Sequence, residues 1–203
     1  MTQQPLEIGK LLRASITGCV VGCRANQMNV PEFGGMVSIP LGDGYQVFGL
    51  IYDIHIDDDG LVRQLVTAEG ISPDIILDNR LNRNVPVEIS VLFIGYNLNG
   101  KVSHLLPPRP PLTLDAIYPC DDQAVFQFTR SQFGYFRHIL RGTEFPIGEL
   151  LAAHLRQTSA VNTSLGQKDW LNKAIQELIT LLRDDYPTLM TVLSAVGEIK
   201  EEA

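Results

Sequence analysis

The sequence predicts an α+β protein in which a small closed β-barrel of six or seven strands is followed by a helical subdomain. Between residues 14 and 130, short apolar and β-branched segments alternate with Gly-, Pro- and Asp-containing turns at spacings near ten residues, which is typical of a closed barrel or a sandwich. After Thr129 the apolar residues recur every three or four positions, which indicates helices. We therefore divide the chain into an N-terminal leader (1–13), a barrel (14–130) and a helical subdomain (131–203).

The strands are predicted from apolar segments that end at turn residues. The strongest is Tyr45–Ile56 (YQVFGLIYDIHI), which runs from a hairpin turn at Gly42-Asp43-Gly44 to a polar turn at residues 57–60. Met36–Pro40 precedes the first of these turns. The other candidate segments for the six or seven strands are residues 15–24, 61–68, 85–96, 101–105, 116–118 and 124–128. Residues 73–84 are predicted to be irregular or to form one helical turn.

Three or four helices are predicted after the barrel, and Gly134 makes the first of them the weakest prediction. Residues 131–141 fit a short helix that begins at a serine cap, and residues 147–157 place apolar side chains on one face of a second helix. Residues 158–167 (TSAVNTSLGQ) have the composition of a linker. Asp169 is predicted to cap a third helix and Pro187 to begin the last one.

Length and charge exclude several classes of protein. The chain has 203 residues and a net charge of -7, so as a whole it is not a basic nucleic-acid-binding protein. No apolar run reaches the roughly 20 residues that a helix needs to span a bilayer. The first residues lack the pattern of a secretory signal. These observations together predict a cytoplasmic protein with no membrane partner.

The three cysteines are predicted to be buried, free thiols. Cys19 and Cys23 lie on one predicted strand, where their Cα atoms would be roughly 13 Å apart. That distance is too long for a disulfide. Cys120 has no neighbouring cysteine, and the chain has no second Cys/His pair with the spacing of a zinc site. We therefore expect a reducing compartment and no cofactor.

Two segments of the predicted barrel carry a family resemblance. In residues 45–51 (YQVFGLI) a strand with a glycine step follows a glycine-rich turn. In residues 91–95 (VLFIG) an apolar strand ends in glycine, and an Asn99-Gly100 turn and a Pro107-Pro108 pair follow it. This pattern resembles the HAS barrel, the N-terminal domain of HerA-type DNA-translocating ATPases and of rotary ATP synthase subunits. The resemblance covers about residues 14–128 and implies a HAS-barrel-like fold there.

The resemblance also implies a role. In the family, a P-loop ATPase domain follows the barrel, and the barrel mediates oligomer assembly and partner contacts. This chain contains no GxxxxGK[ST] phosphate loop, and residues 131–203 are too few for an ATPase core. The sequence therefore predicts a non-catalytic assembly or adaptor module, not an enzyme. It would form homo-oligomers or dock on a HerA-like P-loop ATPase, for example in DNA processing, without contacting nucleic acid directly.

A metal-dependent enzyme is the alternative from a different class. Asp53, His55 and Asp57 alternate along one predicted strand, so their side chains would share a face and could hold a divalent metal. The simpler interpretation is that this face is in water while Leu50, Tyr52, Ile54 and Ile56 face the core.

The single basic, aromatic-rich segment of the chain is residues 126–141 (FQFTRSQFGYFRHILR). It could contact a partner or single-stranded nucleic acid, because arginines pair with phosphates and aromatic rings stack on bases. Alternatively, the aromatic rings join the helices to the barrel and the arginines cover that seam. The candidate contact residues are Arg130, Phe133, Tyr135, Phe136, Arg137 and Arg141.

Overall fold

Six antiparallel strands close a barrel and a seventh lies outside it, which confirms the predicted α+β fold. The computed structural model of the chain describes residues 6–24, 32–56, 67, 70, 72–74 and 86–201. The barrel follows the order β2-β1-β7-β3-β4-β5 and is closed by pairing of β5 with β2, while β6 pairs with β5 outside it. The strands are β1 (Gly9–Ala14), β2 (Gly18–Arg24), β3 (Met36–Pro40), β4 (Tyr45–Ile56), β5 (Pro86–Leu98), β6 (Lys101–Ser103) and β7 (Ala116–Pro119).

The barrel interior is filled by side chains from all six closing strands. Leu11, Val21, Val47, Phe93 and Ile117 are fully buried there. Closure pairs the backbone of every barrel strand on both sides, and the outside strand β6 offers only three residues as an edge.

The C-terminal helices of the described residues form a layer that covers the outer face of β3, β4 and β5. There Met36, Phe48, Leu50 and Ile94 of the strands join one apolar core with side chains of the helices. The two longest strands are therefore buried on both faces, which explains why their sequences are nearly continuous apolar runs. The helices are α1 (Asp122–Thr129), α2 (Phe136–Ile139), α3 (Ile147–Ser164), α4 (Trp170–Leu181) and α5 (Tyr186–Glu201).

Part of the predicted leader is a barrel strand. Residues 9–14 form β1, which pairs with β2 and β7 and directs Leu11 into the barrel. A register shift between Leu11 and Arg13 interrupts the alternation of buried and exposed residues. The segment GKLLRA therefore lacks the period of two by which a strand is recognised in a sequence.

The predicted strand at residues 124–128 is wrong, because these residues lie in α1. The Asp121 carboxylate caps this helix by accepting a hydrogen bond from the backbone N–H of Ala124 at 2.7 Å. Val125 and Phe128, three positions apart, then face the same core. The short helix predicted at residues 131–141 is confined to α2.

The linker predicted at residues 158–167 is wrong over most of its length, because α3 continues to Ser164. Its polar side chains form hydrogen bonds to the helix's own carbonyls. Thr158 Oγ1 donates to His154 O at 2.7 Å, Asn162 Nδ2 to Thr158 O at 2.9 Å, and Ser164 Oγ to Val161 O at 2.8 Å. Thr158 and Asn162 are also buried, so this polar stretch is an internal part of the helix.

Three further observations complete the comparison with the sequence. The predicted strand at residues 61–68 and the segment 73–84 lie almost entirely outside the described residues. All three cysteines are free; Cys19 and Cys23 are buried, and Cys120 is partly buried. Within the described part of the chain, no helix combines the length and apolarity needed to cross a membrane.

Candidate functional site

The aromatic residues of segment 126–141 lie in the seam between the barrel and the helices. Tyr135 and Phe136 are fully buried, and Phe133 is partly buried. The Phe133 ring stacks on Phe136 with 5.4 Å between ring centres and lies 5.5 Å from the Trp170 ring. The rings of Tyr135 and Phe136 are therefore not accessible to a base or a partner, and they serve the packing of the helices on the barrel.

His154 links α3 to the barrel through buried hydrogen bonds. Its Nδ1 lies 3.3 Å from the carbonyl oxygen of Gly34, which can only accept, so Nδ1 carries the proton. Its Nε2 therefore accepts from the Tyr135 hydroxyl at 3.0 Å. Burial lowers the pKa of His154 to about 4 and raises the pKa of Tyr135. The imidazole is neutral and structural, as expected of a histidine whose hydrogen bonds are satisfied within the core.

His104 holds the loop after β6 against α1 and α2. Its Nε2 donates to Phe128 O at 3.0 Å, while its own carbonyl accepts from Arg137 Nη2 and from His138 Nε2. The Nδ1 atom of His104 is buried and has no hydrogen-bond partner among the described residues. Burial lowers the pKa of both His104 and His138. Arg137 is therefore a structural contact of this loop and not an open phosphate ligand.

Arg141 lies apart from Arg130 and Arg137, in a groove that we call the seam cleft. This cleft has a volume of about 450 Å³ and lies between the β1–β2 turn and the loop at residues 141–145. On its walls the Tyr52 hydroxyl donates to the Glu144 carboxylate at 3.4 Å, and Arg13 forms an ion pair at 3.3 Å with Glu88, which lies outside the lining. Charges of both signs meet here, so the cleft has no clear preference for an anion.

Arg130 lies in a different groove, which we call the basic cleft. Its volume is about 590 Å³, and it runs between the end of α1 and the start of α4. Arg130, Lys168 and Lys173 supply its positive charge, and the partly exposed Phe133 ring, backed by the buried Trp170, supplies its apolar wall. The two lysines are far from segment 126–141 in the chain, so no sequence pattern predicts them as part of this site.

The candidate metal face is only partly described. Asp53 and His55 are exposed on β4, and Asp57 lies outside the described residues. No group of three His, Cys, Asp or Glu side chains suited to a metal occurs among the described residues. The alternation predicted for β4 is also wrong. A register shift between Ile51 and Asp53 leaves Leu50 and Tyr52 under the helices but directs Ile54 to the barrel interior.

A turn before β7 exposes two leucines, and we call residues 112–115 the leucine turn. Leu112 and Leu114 are 72% and 74% exposed, and Leu114 has a left-handed backbone with φ +72°. A bulky side chain is rare in that region. Two hydrogen bonds hold the backbone of the turn, one within the turn and one to β1. Leu112 N–H donates to the Asp115 carboxylate at 2.7 Å, and Leu114 N–H donates to the carbonyl of Leu11 in β1 at 2.9 Å.

In the sequence, the only signal of the leucine turn is a pair of leucines that follow a proline run in a predicted loop. Leu12, next in sequence to the strand residue that holds the turn, is 44% exposed.

Comparison with known protein families finds no match, and no curated protein matches the chain. The function must therefore be argued from the chemistry of these surfaces.

Proposed function

We propose that this chain is a non-catalytic assembly or adaptor module that binds another protein through the leucine turn. The partner we propose is a HerA-like P-loop ATPase, to which the barrel's resemblance points, and self-association is the second form of the same role. The observation that carries the proposal is Leu114, which is both 74% exposed and held at a positive φ.

The backbone conformation of Leu114 has an energetic cost, and its side chain gains little packing among the described residues to offset it. A left-handed conformation costs a residue with a side chain about 1–2 kcal/mol, and the exposed leucine gains little burial in return. Burial of each leucine against a partner would contribute about 2 kcal/mol. A conformation that is unfavourable in the free chain is thus accounted for if another protein covers the turn.

The turn is also well prepared for binding. Its hydrogen bonds to β1 and to Asp115 fix the backbone that carries both leucines. A preorganised contact loses less conformational entropy on association than a mobile loop does. Because the turn projects from a closed barrel, its leucines are presented on a rigid support. We further propose a cytoplasmic location, which the three free thiols support.

Two substitutions at Leu114 distinguish the energetic cost of its backbone conformation from the contribution of its side chain to partner binding. Leu114→Gly should raise the free energy of unfolding by about 1 kcal/mol, because glycine adopts a positive φ without steric cost. Leu114→Ala removes the same exposed side chain but keeps the backbone strain, so it should change stability by less than about 0.5 kcal/mol. Urea unfolding followed by circular dichroism measures both values. Equal stability of the two variants would show that the backbone at this position is unstrained.

Both substitutions should nevertheless weaken association. The experiment measures self-association of the purified chain by sedimentation, and its binding to the purified HerA-like ATPases of the same organism by calorimetry. Loss of one buried leucine should raise the dissociation constant roughly tenfold in Leu114→Ala and Leu114→Gly alike. The matched control is Leu181→Ala, which removes a leucine that is 43% exposed on α4.

The outcomes are distinct. Association that falls with both Leu114 variants but not with Leu181→Ala supports the assembly role in the form, homomeric or heteromeric, in which it is observed. A wild-type chain that stays monomeric and binds none of these ATPases at tens of micromolar would overturn the proposal.

A further inference from the structure

A hydrogen bond joins the two helices that flank the basic cleft. The indole N–H of Trp170, the first residue of α4, donates to the carbonyl oxygen of Thr129, the last residue of α1, at 2.9 Å. This contact places Arg130, which follows α1, beside Lys168 and Lys173 at the start of α4. Three cations that are separate in the sequence thereby line one groove.

The charge of this groove is opposite to that of the chain. Arg130, Lys168 and Lys173 face a single lining carboxylate, Asp169, in a protein of net charge -7. The Asp169 carboxylate accepts a hydrogen bond from Asn172 Nδ2 at 2.9 Å. None of the three cations forms an ion pair with another residue of the described ranges. Their charge therefore remains available to an anionic ligand.

The apolar wall and the size of the cleft restrict the ligand further. The partly exposed ring of Phe133 forms the apolar wall of the groove, and the Trp170 ring, which is only 1% exposed, packs against it with 5.5 Å between the ring centres. The guanidinium of Arg130 lies over the Phe126 ring, 5.8 Å from its centre, which favours one orientation of this side chain. The volume of about 590 Å³ suits a small organic molecule. Pockets for such ligands span roughly 300–1,000 Å³.

We propose that the basic cleft binds a phosphorylated small molecule of nucleotide size. Three cations match a phosphate group that carries two or more negative charges, because guanidinium and ammonium groups form charge-assisted hydrogen bonds with phosphate oxygens. The aromatic wall would contact an apolar or aromatic part of the same molecule. A long polynucleotide fits less well, because it would extend from the cleft over a surface of mainly negative charge. This proposal does not depend on the leucine turn.

Trp170 is the only tryptophan of the chain and lines the cleft, so its fluorescence reports on binding there. The probes are ATP, inorganic pyrophosphate and adenosine, titrated at low salt without divalent metal. ATP and pyrophosphate should change the fluorescence saturably, and ATP should bind more tightly because adenosine adds contacts with the wall. Adenosine alone, which lacks the phosphates, should leave the signal unchanged.

The double variant Lys168→Gln/Lys173→Gln should weaken ATP binding at least tenfold, since it removes two exposed charges. The matched control is Arg183→Gln, which removes an exposed cation outside the cleft that pairs with Asp184. It should change the affinity by less than about twofold. Thermal unfolding of both variants confirms that they are folded, so a loss of binding is not a loss of structure.

Three results would overturn the proposal. The first is the absence of saturable binding of ATP or pyrophosphate below about 10 mM. The second is equal binding by wild type and by the double lysine variant. The third is tighter binding of a single-stranded oligonucleotide than of ATP, with a strong dependence on salt, which would assign the cleft to nucleic acid.

Discussion

Replacement of Gly34 by alanine is expected to lower the free energy of unfolding by about 3 kcal/mol. Gly34 has φ +79°, which costs alanine about 1–2 kcal/mol. A Cβ atom at this position would also lie 2.7 Å from both Ala153 Cβ and His154 N in α3. Forcing an extra atom into such a contact costs about 1–3 kcal/mol. The melting temperature should fall by roughly 10 °C, as measured by differential scanning calorimetry.

Gly42→Ala is the control for this experiment. Gly42 has a similar φ of +81°, but no atom lies within 4 Å of a Cβ built there. It should therefore show only the backbone cost of about 1–2 kcal/mol. If Gly34→Ala destabilises no more than Gly42→Ala, α3 does not press on Gly34 and the seam is looser than the structure shows. Failure of Gly34→Ala to fold while Gly42→Ala folds would agree with the larger cost.

Protonation of His154 should lower the free energy of unfolding at a pH well above that of general acid unfolding. The pKa of this imidazole is about 4 in the folded chain and 6.5 as a reference for the unfolded chain. The unfolded chain therefore binds a proton first as the pH falls. The contribution of neutral His154 to the free energy of unfolding is complete above pH 6.5 and is lost as the pH falls towards 4. For this one group the loss is about 2 kcal/mol by pH 5 and about 3 kcal/mol by pH 4.

The structure gives the physical reason for this loss. A charged His154 would have protons on both ring nitrogens, so the Tyr135 hydroxyl would have to accept instead of donate, in a site without water contact. The pKa values of His104 and His138 are also lowered, and they act in the same direction. Urea unfolding at several pH values between 4 and 7.5 measures the effect. His154→Gln, which does not titrate, should show a shallower slope; an unchanged slope would contradict the assignment.

Parts of the fold with one clear pattern could be predicted from the sequence. The bounds of Met36–Pro40 and Tyr45–Ile56 are the same in the structure, because glycine turns bound the hairpin that joins them. The apolar face of α3 was also predicted. Leu150, Leu151 and Leu155 are fully buried, as their helical spacing indicated.

Other elements could not be predicted, because their local sequence favours a different structure from the one that tertiary contacts stabilise. The five residues AVFQF at 124–128 are too short to distinguish a helix from a strand, and the Asp121 cap decided between the two. The polar α3 segment around Asn162 forms a helix because the core around it supplies partners for its side chains, among them Thr129. No sequence pattern joins Arg130 to Lys168, because tertiary packing brings them together through contacts such as the hydrogen bond from Trp170 to Thr129. The strain at Leu114 is likewise a property of the backbone that composition does not reveal.

Because the helices cover an apolar outer face of the barrel, we expect the barrel and the helices to be inherited together. Met36, Phe48 and Leu50 are almost fully buried beneath the helices, although they point away from the barrel interior. A gene fusion that exchanged all the helices, residues 122–203, for another C-terminal domain would leave this face in water. Exposed patches of this kind promote aggregation. Recombination between relatives would therefore preserve barrel and helices as one inherited unit, unless the new domain brought an apolar cover of matching shape.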